Sequence, residues 1–75
     1  MKKHSDIHTI AFMTNERDWT PTLARKWLKL HGLVPIKKMK IEGNQLRYRI
    51  RDPALFKSFI TKKTNDGINL IIGIY

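Results

Sequence analysis

Residues 45–51 read QLRYRIR, so Arg47, Arg49 and Arg51 alternate with Leu46, Tyr48 and Ile50. Alternation of this kind is the period of a strand with one buried and one open face. Upstream, IKKMKIE (36–42) places Lys38 and Lys40 at the same spacing, and Gly43-Asn44 between the two runs is a two-residue hairpin signal of the II′ or I′ kind. Closing the hairpin there sets Glu42 opposite Gln45, Lys40 opposite Arg47 and Lys38 opposite Arg49. The other side pairs Ile41 with Leu46 and Met39 with Tyr48. Five cations, Lys38, Lys40, Arg47, Arg49 and Arg51, then share one side of the ribbon.

Like charges set directly opposite in a sheet cost roughly a few tenths to 1 kcal/mol per pair. A bound anion removes that cost, and arginine's planar fork suits phosphate. The bland alternative is a solvated surface whose lysines keep other strands off the edge. A surface serving only solubility favours mixed signs, so anion binding is the better account. Lys62 and Lys63, and the helix residues Arg25, Lys26 and Lys29, are candidates to extend the footprint. Tyr48 falls on the apolar side, and the chain has no K/R-G-F/Y aromatic motif for base stacking. The chemistry expected is therefore contact with a phosphate backbone: salt-sensitive and indifferent to base sequence.

Other chemistries find little support. His4 and His8 are four apart, but they precede or enter an expected strand, where that spacing is too long to share an ion. His31 sits where an imidazole meets the last carbonyls of a helix. The six acidic residues are scattered without an acid/base pair, and no nucleophile elbow or phosphate-cradling glycine loop occurs. The expectation is a non-enzymatic protein with no metal and no cofactor.

The bulk properties agree with a polyanionic partner. Fifteen Lys and Arg against six Asp and Glu give a formal charge of +9 and a pI of about 10.3. Seventy-five residues, 1–75, are expected to form a single small domain. The absence of cysteine removes any disulfide framework and fits a reducing compartment. The MKKH start resembles a leader, but Asp6 and His8 interrupt any apolar run, so secretion is not expected. INLIIGIY, the longest apolar stretch, is too short to span a bilayer, and no membrane partner is expected.

The elements that position the arginines follow from local signals. IHTIAFMT (7–14) reads as a strand buried on both faces. WTPTLARKWLKLHG reads as a helix with Thr20 as N-cap, Pro21 at the first turn and Gly32 as stop; Leu23, Ala24, Trp27 and Leu28 form its apolar stripe. The hairpin strands follow. Asp52-Pro53 repeats the cap-and-proline signature, so ALFKSFI (54–60) is expected as a short helix with Phe56, Phe59 and Ile60 inward. TKKTNDG reads as a polar loop and INLIIGIY as the last strand. Strand, helix, strand, strand, helix, strand is the split βαβ pattern. The fold class expected is α+β, ferredoxin-like βαββαβ, with both right-handed crossovers placing two helices on one face of a four-stranded antiparallel sheet.

The ordered set TPTLARKWLKLHGLVPIKK, LRYRIRDPALFKSFITKK and GINLIIG resembles a small domain of double-stranded DNA viruses, bacteriophages and giant viruses among them. The resemblance rests on Ala24, Trp27, Leu28, His31, Gly32, Arg47, Arg49, Asp52, Pro53, Phe56, Phe59, Gly67, Ile68 and Gly73, and covers residues 19–73. It implies a viral protein of the virion, or of the host cytoplasm or nucleus. The family has no settled activity and accompanies both head-assembly and replication proteins. Two partner classes follow: nucleic acid, or a protein. The protein readings are self-association through strand edges, INLIIGIY above all, a capsid partner, or an acidic host protein masked by the basic chain.

Overall fold

A computed structural model describes residues 4–75; the Met1–Lys3 part of the leader-like start lies outside the described residues. The described elements are β1 (Ser5–Met13), α1 (Pro21–Leu30), β2 (Lys40–Glu42), β3 (Gln45–Arg49), a 3-10 turn (Pro53–Leu55), β4 (Ser58–Lys63) and β5 (Ile68–Ile74). The five strands form one antiparallel sheet in the order β2-β3-β1-β5-β4.

The helix follows its end signals. The Thr20 side chain accepts a hydrogen bond from the Leu23 N–H at 3.2 Å, and Pro21 opens the first turn. At the other end Gly32 takes φ +68°, the Leu33 N–H donates to the Leu28 carbonyl and the Gly32 N–H to that of Lys29. Those two bonds are the Schellman pair. Ala24 and Leu28 are buried against the sheet. Phe12 on β1 is fully buried, with its ring centre 4.8 Å from Trp19 and 5.7 Å from both Trp27 and Tyr48. Ile10, Leu46, Ile50 and Ile68 complete this core.

The hairpin also follows its signals. Lys40 pairs with Arg47, Ile41 with Leu46 and Glu42 with Gln45. Gly43 has φ +56°, and among the described residues only glycines have a positive φ, so Asn44 does not, which is the sign pattern of a II′ turn. β2 begins only at Lys40, so Lys38 and Met39 lie outside the strand ladder; Ile36 instead donates its N–H to the Arg49 carbonyl.

The expected ferredoxin-like arrangement is corrected: the described residues form a five-stranded sheet, not a four-stranded one, with one α-helix, not two. ALFKSFI is not a helix. Asp52 caps the Ala54 N–H and Pro53–Leu55 make one 3-10 turn, but Phe56 is already extended at φ −115°, ψ 147°. Ser58–Lys63, expected as helix end and loop, is a strand paired with β5 from Ser58↔Ile74 to Lys63↔Asn69. Residues rich in β-branched and aromatic side chains gain more from that ladder than from a seven-residue helix, which nucleates poorly alone. The pairing also satisfies the β5 backbone on its outer side. INLIIGIY is thus an interior strand between β1 and β4, so it offers no edge; the edges are β2 and β4. Phe59 and Ile60, expected inward, are about half exposed, while Phe56 is buried.

Candidate functional site

The register assigns side chains to the two faces. Lys40, Arg47, Ala11, Asn69 and Lys63 form one row across all five strands, and Arg49, Thr9, Ile71 and Thr61 form the next. Residues paired across a sheet share a face. Both rows lie opposite the face covered by α1, because Leu46 and Tyr48, in alternation with Arg47 and Arg49, belong to the core.

At the β2–β3 end of this open face, Thr9, Lys37, Lys38, Lys40, Glu42, Arg47 and Arg49 line a groove of about 340 Å³. Five cations thus face one carboxylate. Glu42 answers part of the expected repulsion between Lys40 and Arg47: its Oε1 lies 3.0 Å from Lys40 Nζ and its Oε2 3.9 Å from Arg47. The hydrogen bond from Lys40, and then its charge, hold the Glu42 carboxyl below the usual carboxylate range. The Arg47 guanidinium also donates to Gln45 Oε1 at 3.2 Å. Lys37, Lys38 and Arg49 make no ion pair among the described residues.

The other expected site residues are placed differently. Arg51 lies beyond the end of β3, and its Nε sits 2.8 Å from Asp6 Oδ2, so its charge is already answered within the chain. Lys63 shares the open face but stands on the far edge strand. Lys62, paired with Leu70, projects to the α1 side. Lys62 and Lys63 therefore do not join the groove. Arg25 and Lys29 rim an apolar pocket of about 600 Å³ on the α1 side, which meets the basic groove at Lys37 and Lys38.

At the opposite end of the open face lies a feature the sequence reading missed. Gly73 pairs with both Asp6 and Phe59, and a Cβ built on Gly73 would enter the Phe56 ring. Phe56 therefore lies flat against the open face over Gly73. Around it stand Phe59 at 5.8 Å, Tyr75 at 4.9 Å and His8 at 6.1 Å, with His8 also 5.0 Å from Phe59. The signal was present in the alternation of Phe59, Thr61 and Lys63 and in the Asn65-Asp66-Gly67 turn, which together read as a hairpin.

His8 sits at a register shift in β1, where its carbonyl accepts from both Ile50 and Arg51. Its Nδ1 is 3.0 Å from Thr9 Oγ1, and its Nε2 is buried without a hydrogen-bond partner among the described residues. Burial, and then the positive charge of Arg49 and Arg47, lower its pKa below 6.5. His31, as expected, faces the helix end: Nδ1 lies 2.8 Å from the Trp27 carbonyl oxygen and the ring stacks on Trp27. No cluster of three metal-ligating side chains occurs among the described residues, and no helix among them is long and apolar enough to cross a membrane.

No family model, curated protein or solved structure matches the chain. The class of protein is thus set by the fold alone: a small, basic α+β domain with a five-stranded antiparallel sheet open on one face.

Proposed function

We propose that the protein is a non-enzymatic module that binds nucleic acid through phosphate contacts on the open sheet face, and, on the resemblance above, that it serves a double-stranded DNA virus. The observation that carries the reading is the groove of Lys37, Lys38, Lys40, Arg47 and Arg49, where Lys37, Lys38 and Arg49 have no carboxylate answering them among the described residues. A polyanion supplies the missing negative charge in this groove, and backbone contacts there carry no base sequence. Arg47, Arg49, Lys38 and Lys40 are the phosphate ligands of this reading, with Lys37 added and Arg51 reduced to a rim residue held by Asp6.

Titration of a labelled oligonucleotide at rising salt tests it. Log affinity falls linearly with log salt, and Arg49→Ala weakens binding to unrelated sequences by a similar factor while lowering the slope by about 1. Absence of binding to DNA and RNA at low salt rejects the proposal. A second reading, self-association, is favoured by the wholly exposed edge strand β4 with Phe59 and Ile60 uncovered. Lys62 and Lys63 oppose it by blunting that edge. A strict monomer in sedimentation of the same samples excludes it.

A further inference from the structure

The open face joins two chemically different ends, and their union says which form of nucleic acid fits. This inference rests on the phosphate reading of the groove. The row Arg49, Thr9, Ile71 and Thr61 runs from the basic end to β4, and Phe59 is two residues from Thr61 on the same strand and the same face. From β3 to β4 is three strand spacings, about 14 Å. The side chains between are mostly short: Ala11, Thr9, Asn69 and Thr61. Cations and rings therefore look out over one shared floor.

Phe59 is 44 % exposed, yet the His8 and Phe56 rings pack against its ring, and Phe56 is itself seated on Gly73. A braced, half-exposed ring loses little freedom when a flat partner stacks on it. We propose that the open face binds single-stranded nucleic acid, with the groove of Arg47 and Arg49 holding the phosphates and Phe59 stacking on an unpaired base.

A duplex fits this surface poorly. Its bases are stacked on one another, so none offers a face to a ring on β4, three strand spacings across the sheet from the phosphate site and two residues further along. Nor does the sheet enter a groove: five strands span about 19 Å, against about 12 Å for the major groove. Helix α1 lies on the other face. An unpaired strand lays its backbone along a cationic track and turns its bases onto aromatic platforms, an arrangement tolerant of sequence.

Fluorescence anisotropy with a labelled oligothymidylate and a duplex of equal length, in one buffer, tests the proposal on the full chain. The single strand binds more tightly than the duplex. Phe59→Ala weakens the single strand by about five- to 150-fold, the range of one base–aromatic stack, and leaves the salt slope unchanged. Phe59→Trp retains the binding, which separates stacking from damage to the fold. The proposal is overturned if the duplex binds as tightly, or if Phe59→Ala changes nothing while Arg49→Ala weakens binding; the phosphate reading then stands alone. If neither form binds at low salt, the phosphate reading fails as well, and the two failures are told apart.

Discussion

Thr20-Pro21 and Asp52-Pro53 begin two segments with the same device. Each cap residue is extended, each side chain accepts a backbone N–H (Leu23 at 3.2 Å, Ala54 at 2.9 Å), and each proline stands at the first turn. The first segment runs on for ten residues of helix, whereas the second stops after three residues of 3-10 turn. The difference lies downstream of the cap. After Pro21, Leu23, Ala24, Trp27 and Leu28 recur at helical spacing, and Ala24 and Leu28 are buried. After Leu55 the chain offers Phe56, Phe59, Ile60 and Thr61, which suit a pleated surface, and the open side of β5 stands ready to pair. A cap lowers the cost of starting a helix; a buried stripe decides whether it continues. The two segments also deliver aromatic rings to opposite faces, Trp27 onto Phe12 and Phe56 onto Gly73.

The comparison breaks most visibly at Gly73. If the second segment is held by seating Phe56 on the sheet, adding one methyl group there displaces the ring. Gly73→Ala is expected to cost about 1–3 kcal/mol, in the range of overpacking a filled site. Urea denaturation measures the cost, and the Phe56 ring resonances should move with it. An unchanged midpoint means that Phe56 contributes little and that the β4–β5 ladder alone holds the segment.

A smaller effect separates the two caps. Thr20→Ala removes an acceptor from a ten-residue helix and is expected to cost about 1 kcal/mol. Asp52→Ala removes one from a single exposed turn and should cost no more than about 0.5 kcal/mol, the low end of the cap range. Equal losses in urea denaturation would show that the 3-10 turn matters as much as the helix, contrary to the argument from length.

These contrasts explain what could be read in the chain beforehand. Thr20, Pro21 and Gly32 bound the helix because capping is a local interaction, written within a few residues. Gly43-Asn44 set the hairpin register for the same reason, and with it the shared face of Arg47 and Arg49. The strand over Ser58–Lys63 was not local. It depends on β5 lying beside it and on Gly73 leaving room for Phe56, seventeen residues later in a chain whose local signal at Asp52-Pro53 pointed to a helix. The candidate site divides the same way. Its basic end was legible from alternation, but the pairing of Arg51 with Asp6 and the ring cluster at the other end arise from contacts between distant segments.

His8 supplies the finest probe, because it touches both ends of the open face: the Phe56 and Phe59 rings on one side and the field of Arg49 and Arg47 on the other. Its folded pKa is depressed below the unfolded value of 6.5, with burial the larger cause and the two arginines the next; Asp52 acts weakly in the opposite sense. Well above pH 6.5 the ring is neutral in both states. As the pH falls below 6.5, the unfolded chain takes up the proton first, so stability is lost until the folded pKa is reached. The urea midpoint should therefore fall from pH 7 to pH 5.5, and His8→Phe should remove that part of the fall. Arg49→Gln divides the two causes. With that charge gone, the folded His8 titrates at a higher pH by NMR but still below 6.5, because the ring remains buried. A return all the way to 6.5 would make the arginine field the whole cause, and would mean that the aromatic end gives His8 no shelter from water.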